Sequence, residues 1–571
     1  MSNSAPLRSV AGLLAALALT ASAHAAPAPI TGHVATPPGP DWAKNAVFYQ
    51  VYPQTYADSN GDGIGDLPGL IAKLDYIRSL GADAIWINPF FDSPFNDAGY
   101  DIRDHYKVAP RYGTNDDARR LFAEAHKRGM KVLFDYVITY TAIDNPWFVE
   151  SASGRPGPHA DWYIWTDNVW INEPGDGWVH GYGQRNGNFL SNFFWNEPAL
   201  NYGYGAPDPA KPWQLSSRAP AVQALRAEMQ KVMRFWLDMG ADGFRADMAN
   251  SMVKGKDPAN DTGAYWHEVR AILDRDYPQA FIVAEWSEPE GALDRAFHAC
   301  FFHWAPGFNE LYQKESWRIL NGVTDGHSFF DREGKGDVSA FLKSYLPGYL
   351  ATRNKGYVCV PLGNHDLARL GNRRTDAELE ALTAFGITMP GVPFIYYGTE
   401  IGMRQLGNDL PQIEGAFKPR AGARTPMQWA PGANLGFSSA PADKLYLPVD
   451  AAADAPTVAA QEQNPDSLLN RTRKLIRLKH EEPALAAGAE FVPLFAQANT
   501  YPLVYARAAG DSVLLVAFNP SARPATALFE FVTPHKGFEL LAGQAATIQE
   551  GPGSLRLDLA GQTYAIYRLV R

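Results

Sequence analysis

From residue 47 onward, short apolar runs rich in β-branched and aromatic residues alternate with longer stretches whose apolar positions recur every three or four residues. A parallel sheet with covering helices produces this alternation. Eight runs qualify as strands, at residues 47–54, 84–88, 131–137, 243–247, 281–285, 299–303, 357–362 and 392–396, with helical patterns such as 116–128 and 222–239 between them. Eight such units close an α/β TIM barrel, (β/α)8, of about 250 residues before insertions.

Two gaps are too long for a single unit. Residues 141–204 are rich in Trp, Asn, Gly and Pro and show little periodicity, which predicts a small domain inserted after strand 3. Residues 401–463 make a second irregular excursion, after strand 8. A last helix at 466–478 gives way to alternating runs such as 502–506 and 512–518, which predicts a C-terminal antiparallel β-sandwich over 489–571. The barrel is then expected over 40–140 and 205–488.

The N-terminus has a different character. Arg8, the apolar run 10–20 and the small-residue sites Ala21-Ser22-Ala23 and Ala23-His24-Ala25 have the three regions of a secretory signal over 1–25, cleaved near Ala25. The apolar run is well short of the roughly 20 residues needed to span a bilayer, so export to the periplasm or the medium is expected rather than anchoring. Export would permit disulfides, yet Cys300 and Cys359 are the only cysteines and both fall in predicted strands, where they read as buried thiols.

Composition changes the picture only by exclusion. A chain of 571 residues with 46% hydrophobic and 20% charged residues can bury a large core. The net charge of -10 is scattered rather than clustered, which disfavours a nucleic-acid groove or an anionic membrane surface and favours a neutral small substrate.

Barrels of this kind keep their chemistry at the C-terminal ends of the strands. Four strands lead there into an acidic residue: Asp135, Asp247, Glu285 and Asp366. Arg245 and Asp247 are two apart on one strand and share a face, so the guanidinium is expected to keep Asp247 ionised, as a nucleophile requires. Glu285 lies one unit further on and precedes Trp286; shielding from water is expected to raise its pKa toward that of a general acid. Two carboxyls on neighbouring strands, roughly 5 Å apart, are what a retaining glycosidase needs.

These residues amount to a resemblance. Gly243-Phe244-Arg245-Ala246-Asp247, Ala284-Glu285-Trp286 and Gly363-Asn364-His365-Asp366, with Gly391-Val392-Pro393-Phe394-Ile395-Tyr396-Tyr397-Gly398 and Arg424-Thr425-Pro426-Met427-Gln428-Trp429 in support, resemble the α-amylase family of glycoside hydrolases, in its α-glucosidase, oligo-1,6-glucosidase and trehalose synthase branch. The resemblance implies that Asp247 forms the glycosyl-enzyme, that Glu285 is acid and then base, and that Asp366 with His365 holds sugar hydroxyls. It also implies that Asp97 binds the sugar and Tyr100 stacks on it, with Arg369 as the partner of Asp97. An Asp97–Arg369 pair would wall off the far end of the site and impose exo action on short α-linked di- or oligosaccharides.

The loop from Asp58 to Asp66 sets oxygen side chains at alternate positions around glycines, suited to a hard cation such as Ca2+. It is not an EF-hand, because Gly69 occupies the twelfth position. By resemblance its ligands are the side chains of Asp58, Asn60, Asp62 and Asp66 and the carbonyl of Ile64. No organic cofactor is implied.

The chain also departs from the family pattern. The usual Asn-His after the strand 3 aspartate is Thr139-Tyr140 here, and Glu197-Pro198-Ala199-Leu200-Asn201 stands where the branch has Gln-Pro-Asp-Leu-Asn. Tyr140 offers a hydroxyl with longer reach and more bulk, which reshapes the sugar pocket. The expected function is a secreted, retaining, exo-acting α-glucosidase. The alternatives are a transglucosylase or isomerase using the same site, an endo-acting amylase, and a non-catalytic sugar-binding homologue. The last should have lost the nucleophile or the acid, and this chain retains both.

Overall fold

The computed structural model describes residues 30–571 except 176, 256–257, 314–326, 408–409 and 411–417, so the expected signal at 1–25 lies outside the described residues. Among the described residues no helix is long and apolar enough to cross a membrane.

Eight parallel strands form the barrel: β1 (Phe48–Val51), β2 (Ala84–Ile87), β3 (Lys131–Tyr136), β4 (Gly243–Ala246), β5 (Phe281–Ala284), β6 (Ala299–Phe301), β7 (Tyr357–Cys359) and β8 (Phe394–Tyr396). Each pairs with its sequence neighbour, β1 also pairs with β8, and a parallel bridge between Leu362 and Ile395 closes the ring. The strands are shorter than the apolar runs because the loops take over early. Pro53, for example, opens a 3-10 turn over Pro53–Thr55 and ends β1 at Val51.

The period of two then decides what each residue faces. Phe48, Ala84, Trp86, Leu133, Phe281, Val283, Ala299, Phe301, Tyr357, Cys359 and Phe394 form one cluster, the barrel's interior. Their neighbours in sequence, such as Tyr49, Ile85, Phe134, Ile282 and Cys300, belong to a separate cluster between the strands and the helices. Cys300 and Cys359 therefore point to opposite faces of the sheet and remain separate, fully buried thiols. Stepping on by two from the interior residues reaches Gln50, Asn88, Asp135, Arg245, Asp247, Glu285 and His303, all buried polar side chains at one end of the barrel. Gly243 begins β4 at φ +146°, where an added Cβ would lie 1.9 Å from the carbonyl oxygen of Phe281. Only glycine lets β4 lie so close to β5 at that point.

The helices cover the outside by their apolar faces. Pro220–Met239 buries Val222, Leu225, Met229, Val232, Met233 and Trp236, and Asn115–Lys127 starts with a capping box between Thr114 and Asp117. The insertion after β3 contains the helix Pro146–Ala152 and a small antiparallel ribbon, Trp178–Val179 with Phe189–Leu190. A bridge between Tyr140 and Ala199 ties its end back to the β3 loop. At the C-terminus a five-stranded and a three-stranded antiparallel sheet enclose an apolar core around Leu515, Leu557 and Tyr567. Arg507 fastens this sandwich to the barrel by donating to the carbonyls of Thr388, Ala486, Ala489 and Glu490.

Candidate active site

The inward-facing residues of β3, β4 and β5 meet on one guanidinium. Arg245 Nη1 donates to Asp135 and, at 2.6 Å, to Asp247 Oδ1, while Nη2 lies 2.8 Å from Glu285 Oε2. The register explains the meeting, since Asp135 lies opposite Arg245, and Ala246 opposite Ala284, so Asp247 and Glu285 leave adjacent strands at the same height. Both carboxyls line a cavity of about 310 Å3 together with Asp97, Tyr100, Tyr140, His365 and Asp366. That volume is at the small end of ligand pockets, suited to one or two sugar rings.

Glu285 collects further donors: the backbone N–H of Met248 at 3.0 Å and Nε1 of Trp304 at 3.1 Å. Met248 follows Asp247 with φ +43°, a left-handed conformation that aims its N–H at Glu285. Asp247 has a second donor in Tyr140, whose hydroxyl is 3.3 Å from Oδ2. Asp135 is anchored from behind by Trp86 Nε1 at 2.9 Å. Burial lifts Asp135 to about 6 against the pull of Arg245.

The protonation order differs from the sequence expectation. Burial pushes Asp247 well up, against Arg245 and helped by the negative Glu285 and Asp135. Burial also pushes Glu285 up, but Arg245, His303 and the Met248 amide outweigh it and hold Glu285 well below the usual range. The physical reason is the number of donors: three N–H groups reach Glu285, whereas Asp247 shares one guanidinium nitrogen with Asp135 and has otherwise only the Tyr140 hydroxyl at 3.3 Å. The two carboxyls are coupled across Arg245, and their opposite shifts make Asp247 the easier of the two to protonate.

Asp366 stands on the loop after β7. Burial pushes its pKa up, but Arg420 and Arg424 together hold it far below the ordinary carboxylate range. Arg420 Nε and Arg424 Nη2 each lie 3.1 Å from its Oδ1. His365 is kept neutral by burial, and its ring stacks on Tyr100 with centroids 5.3 Å apart. Gln50 Nε2 donates to His365 Nδ1 at 3.0 Å, so Nε2 carries the hydrogen and points at the Tyr100 hydroxyl, 2.6 Å away. Asn88 Nδ2 donates to the same hydroxyl at 2.8 Å. The Tyr100 proton is thereby left for a ligand.

One expected residue belongs elsewhere. Arg369 is buried beneath the site, donates from Nη1 to the carbonyl of Tyr397 at 2.7 Å and lies over the rings of Tyr396 and Tyr397. It neither lines the cavity nor pairs with Asp97. Arg420 takes the expected place: it lines the cavity, pairs with Asp366 and draws Asp97 toward ionisation. Sequence reasoning also passed over Trp304, Met248, Asn250 and Phe193, which line the cavity as well. Strand parity does not reach them: Trp304 is one residue beyond His303, the last inward position past β6, and Arg420 and Phe193 lie in irregular segments.

The loop 58–66 contributes nothing to the cavity and packs instead against 437–446, with Asp58 accepting from Ser438 Oγ at 2.5 Å. Three carboxylates, an amide and a carbonyl are hard-cation chemistry. Their oxygens accept the loop's own donors, as where Asp58 Oδ2 takes Gly63 N–H at 2.8 Å and Asp66 Oδ1 takes Gly69 N–H at 2.6 Å. The only set of three His, Asp or Glu ligand atoms within 4.8 Å of one another among the described residues is His327, Asp331 and Glu333. There Lys335 Nζ already supplies a positive charge, 3.1 Å from Glu333.

A model of the α-amylase catalytic domain matches residues 50–488. The chain belongs to the α-amylase family. Its catalytic domain makes the protein a glycoside hydrolase of that family. Trehalose synthase/amylase TreS of Mycobacterium tuberculosis is 34% identical, over 84% of this chain and 82% of that protein. The oligo-1,6-glucosidase of Parageobacillus thermoglucosidasius is 31% identical, over 84% and 91%. Among solved structures, the trehalulose synthase MutB of Pseudomonas mesoacidophila superposes with a TM-score of 0.76 at 27% identity, covering 93% of this chain and all of its own. The family shares the architecture found here, a barrel with C-terminal antiparallel sheets.

Proposed function

We propose that this family member is an exported, retaining, exo-acting α-glucosidase for short α-glucosides. The observation that carries the reading is the single guanidinium of Arg245, which holds Asp247 and Glu285 together on one wall of a small cavity. A glucosyl unit enters, with Asp97, Asp366 and Arg420 on its hydroxyls, and reacts with the form in which Asp247 is ionised and Glu285 is protonated. Asp247 then attacks the anomeric carbon while Glu285 gives its proton to the departing oxygen, leaving a covalent glycosyl-enzyme. Glu285, now ionised, takes a proton from water, whose oxygen displaces Asp247 and restores the starting anomeric configuration. Arg245 and Tyr140 are placed to stabilise Asp247 as the carboxylate it must be at both steps.

Transfer to a sugar acceptor is the second reading. It is favoured by the aromatic rim of Phe193, Trp286 and Trp304, which offers an acceptor ring surfaces to stack on beside Glu285. Similarity to a trehalose synthase and a trehalulose synthase points the same way. Incubation with maltose, isomaltose, sucrose, trehalose and soluble starch, with every product and its anomeric form identified, separates the readings. Initial α-glucose supports retention, and initial β-glucose refutes it. A disaccharide isomer as main product favours transfer, and internal cleavage of starch faster than disaccharides removes the exo reading.

Export and calcium belong to the same proposal. The mature protein is expected to begin near residue 26 in the periplasm or medium. The loop ligands Asp58, Asn60, Asp62, Asp66 and the Ile64 carbonyl would hold a structural Ca2+, which would screen their mutual repulsion. Chelation should lower Tm, and added calcium, not magnesium, should restore it; a Tm indifferent to both removes the ion.

A further inference from the structure

Glu197 comes from the inserted domain and is fully buried, with Oε2 accepting the N–H of Phe194 at 2.9 Å. Its other oxygen, Oε1, has no donor among the described residues, and neither has Oδ1 of the buried Asp97 on the barrel side. The two carboxyls are within hydrogen-bonding reach of each other. Two neighbouring buried carboxyls, each with an oxygen that lacks a donor, are unfavourable unless a proton is shared between them. We propose that Glu197 is a positioning residue that shares one proton with Asp97, so that Asp97 presents its other oxygen to the sugar from a fixed place and binding weakens when this proton is lost. The proposal rests on the cavity being a glucosyl site, as argued above.

The surroundings fit one proton rather than none or two. Arg420 and Arg424 draw Asp97 toward ionisation, while Asp101 and Asp366 oppose them. Asp101 already has donors in Ser93 Oγ and the N–H groups of Asn96 and Asp97, so it cannot relieve the pair. Tyr52 and Tyr140 also face these carboxyls and remain protonated, pushed up first by burial. Burial raises Asp97 to about 7 and Glu197 well above its ordinary value. In the family pattern this position is a glutamine, whose amide would donate to Asp97 at every pH. Glu197 makes the same contact conditional on pH.

The test compares the full-length protein with Glu197→Gln. The probe is D-glucose as a competitive inhibitor, a neutral sugar that adds no titration of its own. Below neutrality the two inhibition constants should agree within about twofold, because amide and acid donate alike. On the alkaline side the wild-type constant should climb relative to the variant's, approaching tenfold per pH unit for a single lost proton. Superposed profiles overturn the proposal. A second measurement needs no sugar: the infrared difference spectrum, wild type minus Glu197→Gln, should contain a carboxylic-acid C=O band at neutral pH that disappears on alkalinisation. Absence of the band overturns the shared proton. Failure of every α-glucoside to be turned over, with the band present, overturns the proposed function and leaves the proton pair standing.

Discussion

Replacing Trp304 by Phe keeps a ring at the rim but deletes the N–H that donates to Glu285 Oε1 at 3.1 Å. A hydrogen bond to a buried charge is worth roughly 1.5–3 kcal/mol, and water entering beside a half-buried ring brings this to the low end, close to the 1.36 kcal/mol of one pKa unit. Loss of a donor destabilises the carboxylate form, so Glu285 becomes easier to protonate. The reacting species is ionised Asp247 with protonated Glu285, whichever form predominates at rest. On the alkaline limb that species forms by adding a proton to Glu285, so kcat/KM at fixed pH should rise up to about tenfold. On the acid limb both carboxyls are protonated and the species forms by ionising Asp247, a step that the Trp304 N–H does not touch. The ratio of alkaline-limb to acid-limb kcat/KM in one protein therefore cancels any pH-independent loss of ring contact. A ratio in Trp304→Phe equal to or below that of wild type, measured on one disaccharide across the pH profile, refutes the reasoning.

Three further outcomes follow from the geometry. Arg420→Gln should raise KM for a disaccharide at least about tenfold, by removing a charge-assisted contact at the end of the cavity, while Arg369→Gln should change KM less than about twofold and lower Tm instead; initial-rate kinetics and a melting curve on both variants decide whether Arg420 has been correctly placed. Glu285→Gln should cost roughly 100-fold or more on disaccharides, whose leaving oxygen needs a proton, and far less in the first step with an activated aryl glucoside; equal losses on both substrates would remove Glu285 as the acid. Gly243→Ala, which puts a methyl 1.9 Å from the Phe281 carbonyl oxygen at a φ of +146°, should cost more than about 3 kcal/mol by urea denaturation, and a smaller loss would mean that β4 and β5 can separate there.

What could be read in advance, and what could not, divides along one physical line. In a closed parallel barrel the period of two along each strand is rigid, so once eight apolar runs are recognised the inward residues are known, and their continuation past the strand ends is known with them. Asp135, Arg245, Asp247 and Glu285 meet for that reason alone, and His303 beside them was open to the same argument. Protonation was not legible in this way. It depends on how many N–H groups converge on each carboxyl, and the N–H of Met248 reaches Glu285 only because the chain turns left-handed just after Asp247. Arg420 and Glu197 escaped for a third reason, since each lies in an irregular excursion whose path is set by what it packs against and not by its own periodicity. Arg369 shows the converse error. Three residues after Asp366 it is close in sequence to the site, yet the turn after β7 carries it under Tyr396 and Tyr397, where its guanidinium serves the backbone. The residues set by strand parity are thus those assigned to bond cleavage. Tyr140, Glu197 and Arg420, which shape the pocket around them, come from the loops after β3 and β8, so substrate preference should respond to exchanges there far more than to any change within the barrel.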